Sequence, residues 1–414
     1  MSSNSNEIFV VMFLYYQHFC GLLKVMNNIS NINQFPCAQC GAMLKYQPGT
    51  SHQSCTYCGY ENSIAEKQET IKENDLTSTL EQLSHQEAVK QTEKSSHCDT
   101  CGATFNFSVN ISAGECPFCG SDIVSKTEEI SLIPPKSLLP FSIDKHQAKD
   151  KYQQWVKSLW FAPNKLKKYA RRETKLIGIY LPYWTYDSQT QSRYQGERGT
   201  TYYVSQKVTV VEDGRQVTRT KQVAKIRWCN VSGQVSRFFD DVLINASHSL
   251  PRKIVDELEP WDLPALVPYD DKYISGFQSE RYQLGLDEGF NKAKQVMANT
   301  IRQDIRYDIG GDQQRVHQVN TEYSRMTYKH CLLPVWSSAF LYQKKSYRFV
   351  VNGRTGEVQG ERPYSYWKVS FALLIITLAI AGSVYVYLEK QGVFDGNYSG
   401  EITINYNHSF SIGY

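Results

Sequence analysis

Eight of the 11 cysteines fall in two copies of one pattern. Cys37 and Cys40 are followed by Cys55 and Cys58; Cys98 and Cys101 are followed by Cys116 and Cys119. Each copy reads C-x2-C-x14-C-x2-C, close to the spacing of four-cysteine zinc sites. A C-x2-C pair on a tight turn brings two sulfurs to one point. Two such pairs can surround Zn2+ with a tetrahedron of thiolates at Zn–S of about 2.3 Å. Two Zn2+ ions are therefore expected, with these eight cysteines as ligands. A glycine follows every pair (Gly41, Gly59, Gly102, Gly120). Glycine accepts the positive φ that turns backbone N–H groups back toward the thiolates. A disulfide scaffold is the competing chemistry for paired cysteines, but the regular repeat and its glycines favour metal. A thioredoxin-type redox site would be one C-x-x-C between a strand and a helix, not four. Thiolate ligation requires a reducing compartment, so this region is expected in the cytosol.

Other catalytic or binding signatures are sparse. No G-x-x-x-x-G-K-[ST], G-x-G-x-x-G, H-E-x-x-H or G-x-S-x-G occurs in the chain. The glycine segments 196–199 and 353–356 lack the lysine of a phosphate cradle. His52 and His97 lie near the cysteines, but four thiolates already fill each site, so both read as bystanders. Asp240-Asp241 and Asp270-Asp271 are adjacent pairs; neighbours on a strand point to opposite faces, so both read as turn or solvated charge. Cys20, Cys229 and Cys331 are isolated and read as buried structural thiols. No catalytic constellation is expected, and the chain reads as a non-enzyme.

The elements that would position the cysteines form a series. Residues 34–60 and 97–123 each make a small ribbon of two short hairpins, matched also at Gly41-Ala42 and Gly102-Ala103 and at Tyr46 and Phe107. Their apolar filling is thin, so metal would supply most of the folding energy. Between them, the polar residues 61–96 read as a solvated linker or a helical spacer carrying Ile71, Leu76, Leu80 and Leu83. A Pro-rich connector spans 124–141. An α+β body, mainly antiparallel, follows over 142–366. In it, Ser142 or Asp144 caps a helix reaching about residue 161, with Tyr152, Trp155, Val156 and Leu159 on one face. A short basic helix comes next, then strands over 176–241 with a turn at Glu212-Asp213-Gly214-Arg215. A long helix is expected over 280–307, where Leu286, Phe290, Ala293, Met297, Ile301 and Ile305 recur at helical period. Strands return at 315–329, 332–342 and 346–352, with a turn at 352–356.

Charge is uneven along the chain. Residues 34–131 carry 6 Lys+Arg against 13 Asp+Glu, a net −7. Residues 132–368 carry 37 against 24, a net +13. The densest basic stretch holds Lys165, Lys167, Lys168, Arg171, Arg172 and Lys175. Phosphate binding needs such clusters; anionic lipid headgroups, the acidic ribbons of the same chain and plain solvation are equally open readings of it.

Residues 369–388 are 20 consecutive uncharged, mostly apolar residues, enough for a transmembrane helix. Trp367, Tyr385 and Tyr387 flank it as interface residues. Arg348, Arg354, Arg362 and Lys368 precede the span, and Lys390 alone follows it closely. This bias places the ribbons and body in the cytoplasm and the tail, 389–414, outside, in a single-pass protein of the inner membrane. The apolar extension 1–33 is short for a span and lacks the basic residues of a signal peptide. It fits a translation start upstream of the true one, with Met26 as the real start, or a weak membrane segment.

Several runs in the body are distinctive: Leu139-Pro140-Phe141, the stretch 180–187 (YLPYWTYD), 239–243 (FDDVL), 260–263 (PWDL), 328–336 (YKHCLLPVW) and 351–358 (VNGRTGEV). With paired ribbons before them and a span after them, the chain resembles a bacterial family of membrane-anchored proteins with TFIIB-type zinc ribbons. Its members are commonly labelled "primosomal protein N′ (replication factor Y), superfamily II helicase". The resemblance covers roughly residues 35–390 and implies that the eight cysteines are zinc ligands and that the C-terminal helix is an anchor. A helicase motor needs ATPase lobes with a phosphate-binding loop, which this sequence lacks. The expected function is an adaptor or scaffold that recruits a cytosolic protein to the membrane; the alternative is nucleic-acid binding through the segment 165–175.

Overall fold

The computed structural model describes residues 35–65, 70–85, 91–106, 113–119, 121–124, 126–130, 133–164, 175–212, 215–342 and 345–390. The extension 1–33, the tail beyond residue 390 and the basic stretch apart from Lys175 lie outside these residues.

The first cysteine copy holds β1 (Leu44–Tyr46), β2 (His52–Cys55) and β3 (Glu61–Ser63), one antiparallel sheet. β4 (Asn74–Asp75) and α1 (Leu76–His85) follow. The second copy holds β5 (Gln91–His97), β6 (Thr104–Asn106), β7 (Ala113–Glu115) and β8 (Asp122–Val124), with β9 (Lys126–Ile130) after it. The body opens with β10 (Ser137–Leu138) and α2 (Lys145–Ser158). It continues with β11 (Ile177–Glu212), β12 (Arg215–Asn245), α3 (Arg252–Asp256), β13 (Val267–Pro268), α4 (Asp271–Ile274) and β14 (Gln278–Glu280). Helix α5 (Leu286–Ile309), β15 (Gln313–Tyr342), β16 (Lys345–Asn352) and β17 (Val358–Gly360) complete it, and α6 (Tyr366–Lys390) ends the described chain.

The fold is α+β and its sheets are mainly antiparallel; β10 with β15 and β11 with β14 are the parallel pairs. β11 is the spine, paired with β12 on one edge and β15 on the other. Side chains alternate across a strand, and both faces of β11 are used where it begins. Ile179, Leu181 and Tyr183 enter one core with Leu333 and Val335. Tyr180 enters a second core on the opposite face with Phe141, Trp336 and Phe349. Further along, Trp184 and Tyr186 join a third core under α5, which contributes Leu286, Phe290, Ala293, Met297, Ile301, Ile305 and Ile309. Each large apolar side chain so buried contributes about 1.5–3 kcal/mol.

Local signals explain the main boundaries. The carboxylate of Asp144 accepts from the Gln147 amide at 2.8 Å, and Gln147 Oε1 accepts from the Asp144 amide at 3.0 Å. This reciprocal cap starts α2, as one of the two capping candidates required. The expected 280–307 helix begins later, at Leu286, because Gln278–Glu280 is spent as a strand between β11 and β6. The strands expected at 315–329 and 332–342 are one continuous strand, β15. Residues 61–96 are not a plain linker. β4 pairs with β15 through Asn74 and Asp75, and Leu76 of α1 is buried against Trp184 and Tyr186. Cys331 is fully buried as expected, whereas Cys229 is exposed on β12.

Candidate metal centres

Each cysteine pair sits on a tight turn. The Gly41 and Gly59 amides donate to the carbonyls of Cys37 and Cys55 at 2.9 and 3.0 Å, and the Gly102 amide donates to Cys98 at 2.7 Å. All three glycines have φ between 74° and 76°, the left-handed conformation that favours glycine.

The turns bring all eight sequence-nominated cysteines into two groups. The sulfurs of Cys37, Cys40, Cys55 and Cys58 lie within 4.8 Å of one another, as do those of Cys98, Cys101, Cys116 and Cys119. Close contacts are 3.5 Å for Cys37–Cys58, Cys40–Cys55 and Cys98–Cys119, and 3.6 Å for Cys101–Cys116. A tetrahedron with metal–sulfur bonds of about 2.3 Å has edges of about 3.8 Å, so both sets fit a tetrahedral four-thiolate ion. One sulfur in each set is shifted toward the thiolate form. The Cys58 and Tyr57 amides aimed at Cys55 hold it down to about 6. A hydrogen bond from Cys116 lowers Cys101 to about 5, and the same bond pushes the Cys116 thiol upward.

Neither histidine near the sites is a ligand. His52 Nε2 faces Glu61 at 3.5 Å, and His97 Nδ1 meets Thr104 Oγ1 at 3.1 Å.

Both cysteine modules are built into the body, which the sequence did not reveal. The first packs on the second core: Tyr46 is buried there against Tyr273, and its hydroxyl donates to the Phe141 carbonyl at 3.2 Å. The Tyr46 amide donates to the Ser275 carbonyl at 2.9 Å. The second module packs on the opposite face of the sheet. Cys98, Ala103, Cys116 and Phe118 share a core with Ile179, Leu181 and Val335. β6 pairs with β14, and Ser337 Oγ donates to the Pro117 carbonyl at 2.9 Å. Beside this module, Glu280 is fully buried and accepts from Ser247 Oγ at 2.9 Å and from Ser249 Oγ. Burial pushes its carboxyl up to about 8.

A third acidic group was missed. Asp187, Asp240 and Asp241 each bring a carboxylate oxygen within 4.8 Å of the others. Strand alternation separates neighbouring side chains only in regular pairing. Here Tyr186 pairs with Val242 and Ser188 with Phe239, so Asp240 and Asp241 bulge opposite Asp187, with Asp241 at φ 52°. β15 carries an irregularity opposite the next residue, Ser188, with Arg325 at φ 49°. Lys329 Nζ lies 2.6 Å from Asp241 Oδ1 and 3.3 Å from Glu73 Oε1, where a cation would otherwise stand. Burial raises Asp187 to about 6, and the carboxylate of Glu73 beside it adds to the rise. Lys329 offsets part of this negative charge, and the group ties β11, β12 and β15 to Glu73, the residue before β4. The pair Asp270-Asp271 is the turn charge expected: Asp270 caps α4 by accepting from the Lys272 amide at 3.0 Å.

The C-terminal helix α6 is 25 residues long, contains an 18-residue stretch of mean hydropathy 2.3, and that stretch is unburied. Lys368 at its start donates to the carbonyls of Trp160 and Ala162 at 3.1 and 2.9 Å.

Comparison with known proteins gives one named relative. The chain is 25% identical over 369 residues, 88% of its own length and 99% of the relative's, to the uncharacterized protein YdjG of Bacillus subtilis strain 168. No protein-family model matches the chain, and no solved structure matches it.

Proposed function

We propose that the chain is a bitopic inner-membrane adaptor, stabilised by two Zn2+ ions, that holds a cytosolic protein partner at the membrane. The observation that carries this reading is the pairing of two thiolate sites fit for zinc with an apolar helix that no described residue covers. An unburied stretch of 18 residues with mean hydropathy 2.3 is suited to an apolar medium. The Lys/Arg bias before it puts the body in the cytoplasm, where thiolates remain reduced. The zinc ions are structural in this reading. Four thiolates close each site and leave no open position for substrate.

The first module offers a partner surface. Tyr57, inside its second Cys pair, is 88% exposed, and Met43 beside the first pair is 47% exposed. Exposed aromatic and Met side chains of this kind anchor protein interfaces. Detergent purification of the full chain with its bound partner, compared with Tyr57→Ala/Met43→Ser, tests the reading. Loss of the partner with zinc content retained supports it; an unchanged partner set removes the first module from the function.

A further inference from the structure

The hairpin of β11 and β12 extends well past the body. The last β15 partner of β11 is Gln313, opposite Gly199, and from Thr200 onward β11 pairs with β12 alone. At about 3.3 Å per residue, the two-stranded arm is roughly 40 Å long. Its residues 200–209 and 216–227 include Lys207, Arg219, Lys221, Lys225 and Arg227 and no acidic residue; nearer the tip, Glu212 pairs with Arg215. The cations are sorted by face. The register sets Thr200 against Arg227, Tyr202 against Lys225, Gln206 against Lys221 and Val208 against Arg219. Residues facing each other across antiparallel strands share a side, and alternate residues on each strand do so as well. Arg219, Lys221, Lys225 and Arg227 therefore line one face, all exposed. Arg227 lies over the Tyr202 ring at 5.2 Å on that face. The other face carries Ser205, Thr209, Thr218, Thr220 and Gln222 around Lys207, with Tyr203, 70% exposed, toward the body.

The basic face continues the one that α5 covers on the body. Tyr194, Val231 and Val235 lie under α5, and Arg198 Nε donates to the Ile309 carbonyl where the helix ends. Beyond that point no described element covers the face.

We propose that this arm is a nucleic-acid-binding element that enters the major groove of duplex DNA, its basic face against the phosphates. Two paired strands fit a groove about 12 Å wide. Four cations along one edge match a line of phosphates, and the Ser, Thr and Gln side chains on the other face supply donors for phosphates and base edges. A protein partner would demand buried aromatic or aliphatic anchors, and the basic face interleaves its charges only with single valines and Tyr202. Lipid is disfavoured by position, a step that rests on the anchor reading. α6 leaves the sheet beside Phe161, at the end where β11 begins, since β17 pairs with β16 and β16 with the far end of β15. The arm lies at the other end of β11, roughly 100 Å along the strand direction.

The test uses full-length protein in nanodiscs of uncharged lipid and a labelled 20-bp DNA duplex, read by fluorescence anisotropy at 50, 100 and 200 mM KCl. Binding is expected to weaken steeply with salt. Lys221→Glu/Lys225→Glu/Arg227→Glu should lower affinity by at least about tenfold and flatten the salt slope by about 3. The distant control Lys145→Glu/Lys149→Glu/Lys253→Glu should leave both unchanged. An RNA duplex of equal length should bind more weakly, because the A-form major groove is too narrow for the arm. The proposal falls if no duplex binds at 50 mM KCl, if the arm variant binds as the wild type does, or if RNA binds as tightly as DNA. It falls also if the arm variant loses binding only to anionic vesicles. The anchor reading is judged separately, by whether the chain shortened before residue 366 leaves the membrane fraction.

Discussion

The carboxyl of Glu280 supplies a test of the packing between the second cysteine module and the body. It is 2% exposed, on a strand held between β11 and β6, and hydroxyls of Ser247 and Ser249 donate to one of its oxygens. Burial raises its pKa from 4.5 to about 8. The folded protein therefore keeps this proton over a range in which the unfolded chain has lost it. Stability from the group is full below about pH 4.5 and declines as pH rises through about 8. One proton over one pH unit corresponds to about 1.4 kcal/mol, so between pH 6 and 8 the loss is on the order of 2–3 kcal/mol. Glu280→Gln keeps the shape and the acceptor and cannot ionise. Urea unfolding of metal-loaded, detergent-solubilised protein, followed by tryptophan fluorescence at pH 6, 7, 8 and 9, reads the difference. The variant should gain on the wild type by about 2–3 kcal/mol from pH 6 to 8 and by little more above it. A constant difference over that range would refute the reasoning, because it would mean that the carboxyl is hydrated or compensated in the folded state.

Other expectations follow from the same packing. Gly289→Ala should destabilise the protein by about 1–2 kcal/mol although alanine is the better helix former. The added Cβ would lie 2.3 Å from the Tyr186 hydroxyl, which now donates to the Leu286 carbonyl at 2.7 Å, and overpacking outweighs the propensity gain of about 1 kcal/mol; a raised melting temperature would contradict this. Lys329→Met should cost about 2–3 kcal/mol in urea unfolding, since Asp187, Asp241 and Glu73 would lose their shared cation. Elemental analysis should find two zinc ions per chain. Cys98→Ser should remove one and lower body stability more than Cys37→Ser does, because Cys98 lies in the body core with Ile179 and Leu181.

Much of this architecture was legible in the sequence because its signals are local. The cysteine spacing and glycines announce turns whose geometry depends on a few consecutive residues. The 4-3-4-4-4 spacing from Leu286 to Ile305 announces the buried face of α5, and each of those residues is buried. The hairpin turn at 212–215 follows from its Asp-Gly pair, and Glu212 does pair with Arg215. What escaped depends on distant partners. Residues 61–96 read as a solvated linker or a helical spacer; helix α1 forms there, but the burial of Leu76 in the core of Trp184 and Tyr186 depends on partners about 100 residues away. The Asp240-Asp241 pair read as solvated because alternation was taken to hold, and a bulge opposite Asp187 suspends it. The sorting of cations onto one face of the arm was present in the odd numbering of 219, 221, 225 and 227, but it carries meaning only once β12 is known to run unbroken through them.

The two cysteine modules sit on opposite faces of the sheet at the end where β11 begins, and α6 departs from that same end. Tyr46 of the first module reaches the core of Tyr180 and Trp336, and Phe118 of the second reaches the core of Ile179 and Val335. Each module adds side chains to a core built mostly by the body, so ions that order the modules would add to the order of the sheet between them. Metal would then stabilise the part of the body next to the anchor, and the far part of the sheet, held by α5 and its own ladder, would keep its register without it. Hydrogen exchange with and without chelator distinguishes these ends. Amides of residues 177–183 and 331–337 should lose protection when metal is withdrawn, while those of 189–198 and 229–238 keep it. Equal loss at both ends would mean that the metal sites stabilise the sheet as one cooperative unit.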